Sequence, residues 1–137
     1  MIQTLVVMCL AFFLQTAVPI TTIGQGSQSG IESRREVIVR TAGEWQTLWK
    51  EHEPDAPLPR VDFEKSMVIG VFLGFRNTGG YSVAITSIER AGDEIVVTWK
   101  ESRPGPQAVT SQVLTFPFHL VRIERLDGRV VFKQAGR

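Results

Sequence analysis

The chain has 137 residues, of which 43% are hydrophobic and 21% charged, a size and balance that fit one globular domain and leave no room for a two-domain enzyme. Its 15 basic and 14 acidic residues nearly cancel and no segment is a run of one sign, so a nucleic-acid partner or an anionic membrane surface has no electrostatic footprint here. The charge is unevenly placed all the same: the first charged side chain is Glu32, and everything before it is apolar, small or neutral polar.

Leu5 to Leu14 reads LVVMCLAFFL. About ten apolar residues suit the core of a secretory signal and fall short of the roughly 20 that a spanning helix needs. Residues 1–24 are therefore expected to be a signal peptide, which places the chain in the periplasm or outside the cell. The alternative is an N-terminal membrane anchor running on through Ile23, but Gln15, Thr16, Pro19, Thr21 and Thr22 interrupt it, and Arg34 with Arg35 would lie on the wrong side. The single cysteine, Cys9, sits inside the apolar core without the flanks of a lipid-attachment site. Once the head is removed, thiol nucleophiles, disulfides and cysteine-held metals go with it. GQGSQSGI at 24–31 is rich in glycine, serine and glutamine, so 25–33 is expected to be a flexible linker ahead of a domain at 34–137.

REVIVR at 35–40 alternates as a strand does. Thr41 followed by Glu44 forms a capping-box pattern, and Trp45, Leu48, Trp49 and His52 recur at helical steps, which predicts a short amphipathic helix ended by Pro54, Pro57 and Pro59. MVIGVFLG at 67–74 is apolar on both faces and reads as a central strand, covered by the helix on one side and by another layer on the other. YSVAITSIER at 81–90 and EIVVTWKE at 94–101 alternate; QVLTFPFHLVRIER at 112–125 is broken at Pro117; RVVFK at 129–133 follows the turn signal Asp127–Gly128. The expected class is α+β: one amphipathic helix packed on a curled, mainly antiparallel sheet or small open barrel of about six strands. If the strands run as a meander, alternate connections leave from opposite ends, so the short turns at 91–93 and 126–128 share one end and the longer loops 75–80 and 102–111 are expected to emerge together at the other.

A search for chemistry returns little. Gly74 and Gly79 have the spacing of a phosphate loop, but Gly80 and Tyr81 stand where Lys and Ser or Thr must be. Ser82 lacks a nucleophile elbow. His52 with Glu53 and Asp55 reads as a solvated helix end rather than a metal site, and His119 as a surface or half-buried strand residue. Asp62 reads as a turn residue, and Trp45, Trp49 and Trp99 as core rather than a stacking platform for bases or sugars. No catalytic residue, cofactor or metal is expected, and the chain is read as a non-enzyme.

The two loops remain. GFRNTGGY puts adjacent glycines beside Arg76 and Tyr81, and SRPGPQAVTS puts a stiff Pro-Gly-Pro beside Arg103. Arg76, Asn77, Thr78, Gly79, Gly80, Tyr81, Arg103, Pro104, Gly105 and Pro106 are the candidate partner-binding residues; the bland alternative is two structural loops. The helix EWQTLWKEH, the segment VDFEKSMVIGVFLGFRNTGGYSVAI and the late LTFPFHLVRI resemble the C-terminal domain of PrcB, a subunit of a bacterial exported protease complex, over roughly residues 36–133. The resemblance implies a small exported, non-catalytic module that associates with another extracytoplasmic protein such as a protease; the lipid-attachment cysteine that an anchored member would carry is missing. No nucleic acid is expected as partner, and a membrane only through an uncleaved N terminus. The alternatives are a protease inhibitor or chaperone, or a small-ligand binding module.

Overall fold

A computed structural model describes residues 15–136. The apolar core Leu5–Leu14 lies outside them. The elements in chain order are β1 (Gln15–Ala17), β2 (Thr21–Gly26), β3 (Arg35–Val39), α1 (Ala42–His52), β4 (Ser66–Phe72), β5 (Ser82–Ala91), β6 (Glu94–Ser102), β7 (Phe118–Glu124) and β8 (Arg129–Ala135). They form two four-stranded sheets, ordered β1-β5-β6-β8 and β2-β7-β4-β3, that do not close into a barrel. With one helix packed on one of them, the α+β class holds.

The sequence dictates the layers. β4 carries no polar residue from Met67 to Phe72, and it alternates between two cores. Met67, Ile69 and Val71 face the other sheet, where Val83, Ile85, Ile88, Ile95, Val97 and Trp99 meet them; Val68 and Phe72 face α1, under Trp45, Leu48 and Trp49. The helix therefore covers one face of the second sheet and the first sheet covers the other. Its start is fixed by Thr41, whose Oγ1 accepts from the Glu44 amide and donates to the Glu44 carboxylate. The pattern is the expected capping box, except that the Glu44 side chain answers to the hydroxyl rather than to the Thr41 backbone. Each helical indole also donates from Nε1 to the proline-rich return, Trp45 to the carbonyl of Pro59 at 2.9 Å and Trp49 to that of Ala56 at 3.0 Å. The extended 54–60 segment is thereby held against the helix.

The strands are not a meander. β6 pairs in parallel with β8, skipping β7, and β7 crosses to the other sheet to pair antiparallel with β4 and β2. Pro117 marks the crossing: the strand starts at Phe118, and the apolar run 112–116 before it is loop apart from isolated bridges. A residue that cannot donate to a ladder is a natural place for a chain to change sheets.

Residues 25–33, expected to be a flexible linker, are built into the domain. Gln25 and Gly26 pair with His119 and Phe118, the amides of Ser29 and Phe116 exchange bonds with the Phe116 and Ser27 carbonyls, and the Gly30 amide donates to the His52 carbonyl at 2.8 Å. Ile31 is 2% exposed in the helix-side core. Small residues were required there for close packing: a Cβ on Gly30 would lie 2.3 Å from the Glu51 carbonyl oxygen. Composition alone reads such a stretch as loose, although glycine serves close approach equally well.

Candidate functional site

The two long loops do emerge together. Arg76 and Thr115 exchange both backbone bonds, at 2.8 and 2.9 Å, and the Gly79 amide donates to the Ser111 carbonyl at 2.9 Å. Thr115 Oγ1 donates to the Thr78 carbonyl at 2.8 Å and is itself buried. The Phe75 and Phe116 rings meet with centroids 6.1 Å apart. A two-stranded rim results, running from Phe75 to Tyr81 on one side and from Arg103 to Phe116 on the other.

At its base lies an ion-paired node. Arg76 reaches Glu101 Oε1 through both Nε and Nη2, at 2.9 and 2.8 Å, while its guanidinium sits 5.7 Å from the Tyr81 ring centroid. Arg103 Nη2 stands 3.6 Å from the other carboxylate oxygen. Glu101 is nearly enclosed, with a side chain 6% exposed, whereas that of Arg103 is 69% exposed. Thus Arg76 is spent on Glu101 and Tyr81, and Arg103 is the charge that faces outward. Next to the node, Lys100–Arg103 and Gln134–Gly136 line an open depression of about 730 Å³.

The candidate residues divide by environment. Gly79 and Gly80 bring the loops of this chain together: a Cβ on Gly79 would lie 2.4 Å from Ser111 Oγ, and Gly80, at φ +89, would place one 2.9 Å from Pro104. Their approach is to their own chain. Asn77 and Thr78 belong to the same turn, while Gly105 and Pro106 stand exposed beyond it. Sequence reasoning missed what the rim shows to solvent: Phe75, Val113 and Leu114 are 51%, 56% and 52% exposed, and Val109 is fully exposed. It also missed that the supposed linker flanks them, with Gln28 bridged to Phe116 and donating from Nε2 to the Leu114 carbonyl. The signal was available for the first, since VTSQVLTF carries four apolar or aromatic residues that stay uncovered if no strand forms, and Pro117 interrupts the run into β7.

Both histidines are buried: His52 lies where a solvated helix end was expected, and His119 is enclosed more fully than the surface or half-buried position expected of it. The Ile85 amide donates to His119 Nδ1 at 2.8 Å, which leaves the proton on Nε2, 3.0 Å from Thr22 Oγ1. His119 thereby joins β7 to the facing sheet and to β2, beside the register shift between Ile85 and Ser87. His52 Nδ1 bonds Ser29 Oγ at 2.7 Å, and its ring sits 4.3 Å from Phe118. Burial lowers the pKa of both, against a smaller upward pull on His52 from Glu53. Among the described residues no three His, Cys, Asp or Glu side chains converge as a ligand set, and no helix is long and apolar enough to cross a membrane. Trp45, Trp49 and Trp99 are all buried; Trp99 donates to Glu36 and lies 5.2 Å under the Arg34 guanidinium. The idea of an indole platform for sugars or small ligands loses its basis.

Fold and rim together define an α+β domain that presents two fastened loops at one end of a two-sheet sandwich. Residues 67–124, which run from β4 through both loops to the end of β7, match the family described as PrcB C-terminal, the family that the sequence resembles. The match thus spans the whole rim. No curated protein and no solved structure matches the chain.

Proposed function

We propose that this chain is an exported, non-catalytic module that docks through its loop rim onto another extracytoplasmic protein, as an accessory subunit of a protease complex. The single observation that carries the reading is the exposure of Phe75, Val109, Val113 and Leu114 on loops that hydrogen bonds hold in place. Large apolar side chains gathered on a fixed surface cost solubility and mark association sites. Charge narrows the partner. Residues 73–88 carry only Arg76, and 102–118 only Arg103, so the rim has no acid of its own beyond the enclosed Glu101. A complementary protein surface is apolar with a carboxylate placed for Arg103. The similarity to the PrcB C-terminal family supports the association with a protease complex.

The test is site-specific photocrosslinking in the cell envelope, with the reactive side chain at Leu114 or, as control, at exposed Leu58 on the helix side. One adduct from position 114, absent from position 58 and lost in the Phe75→Ser variant, is the expected result. Equal adducts from both positions, or none, overturn the reading. Added to the captured protease, the purified protein leaves its catalytic rate unchanged if it is a passive subunit, and suppresses it stoichiometrically if it is an inhibitor.

A further inference from the structure

An exported chain is cut once, and the fold restricts where. The head expected to be removed, residues 1–24, overlaps β1 and most of β2. These two strands are not equivalent. β1 is a three-residue edge strand with every side chain exposed, so its loss gives up three ladder pairs and no core. From Val18 onward the chain is committed. Val18 is buried in the inter-sheet core, its amide donates to the Ile88 carbonyl at 2.8 Å, and Ile20 packs against the same cluster. Thr22 holds His119 Nε2, and Gln25 Nε2 donates to the Val83 carbonyl at 2.8 Å, so β2 ties both sheets. Beyond it, Ser29 holds His52 and Gln28 holds Leu114 in the rim. A cut after Gly24 would leave His119 Nε2 buried without its acceptor, a loss that burial makes costly.

We propose that the export cut falls at or before the Ala17–Val18 bond, so that residues 18–33 stay in the mature protein as the strand that flanks the rim. The proposal rests on the export reading above. At this bond the chain offers a small residue, Ala17, on the amino side, and the ammonium newly formed on Val18 still donates to Ile88. Peptide hydrolysis there needs only water and the export peptidase.

Two measurements on the full-length gene product decide it. The protein recovered from the extracytoplasmic fraction is expected to show, by intact mass, an N terminus at Val18 or earlier; an N terminus anywhere from residue 19 to residue 34 overturns the proposal. If the chain is found only inside the cell with its head complete, the export reading fails instead. The boundary is then judged on that full-length protein by amide exchange: Val18, Ser29, Gly30 and Ile31 exchanging as slowly as the β7 amides supports it. Exchange of those four amides at the rate of an unstructured peptide overturns it.

Discussion

At the scale of single residues, three positions separate the structure from its alternatives. Ile31 was assigned to a linker by its neighbours' composition, yet it is a core residue. Ile31→Ala is expected to destabilise the protein by about 2–4 kcal/mol in urea unfolding, where a linker position would cost roughly 0.5 kcal/mol or less. Gly80 sits at positive φ against Pro104, so Gly80→Ala should cost about 1–2 kcal/mol and loosen the loops, whereas Leu114→Ser should change stability by roughly 0.5 kcal/mol or less. Loss of partner binding is thus informative for Leu114→Ser, and for Gly80→Ala it reports disassembly of the rim. The buried histidines set a pH dependence. Their folded pKa values lie below 6.5, so the unfolded chain takes up protons first as the solution is acidified. Stability is complete above pH 6.5, falls as the pH drops through 6.5 towards the lowered folded values, and levels off beneath them. Urea midpoints measured between pH 7.5 and 5 check this, and His119→Gln should make the slope shallower.

Among the elements, legibility followed periodicity. Strands 35–39, 82–91, 94–102 and 129–135 and the helix fall where alternation and helical spacing put them, and 66–72 falls where an unbroken apolar run between turn signals marks a strand covered on both faces. β2 was invisible for the opposite reason. TTIGQG has one large apolar residue, and its stability comes from pairing with β7 and from the bond between Thr22 and His119, which is remote in sequence. The candidate loops were found by their glycines and prolines, but what those residues do depends on which chain they approach. The Arg76–Glu101 pair could not be read at all, since 25 positions separate its members. It is also the element-level weak point: Arg76→Ala leaves an enclosed carboxylate without its main partner and should cost about 2–4 kcal/mol. The double variant Arg76→Ala, Glu101→Gln should recover part of that loss in thermal unfolding, because the remaining amide is neutral.

For the molecule as a whole, the fold is dominated by pairings between distant segments, with a parallel β6–β8 ladder and a strand that changes sheets at Pro117. Such a topology closes large loops before contacts repay them, and refolding on a millisecond-to-second scale is expected in stopped-flow fluorescence of the three indoles. The same connectivity gives the domain two unlike ends. β1 runs antiparallel to β5, with Gln15 opposite Ala91, so the chain enters at the 91–94 hairpin, while Tyr81 and Ser102 lie at the far end of ten-residue β5. At about 3.3 Å per residue, roughly 30 Å separates the entry point from the rim. β8, parallel to β6, brings Ala135 to the rim's own end, beside Lys100. The entry strand and the rim therefore lie at opposite ends, so a contact made at one leaves the other uncovered. A bulky fusion appended after residue 137 would crowd the rim, whereas one placed ahead of residue 15 would not.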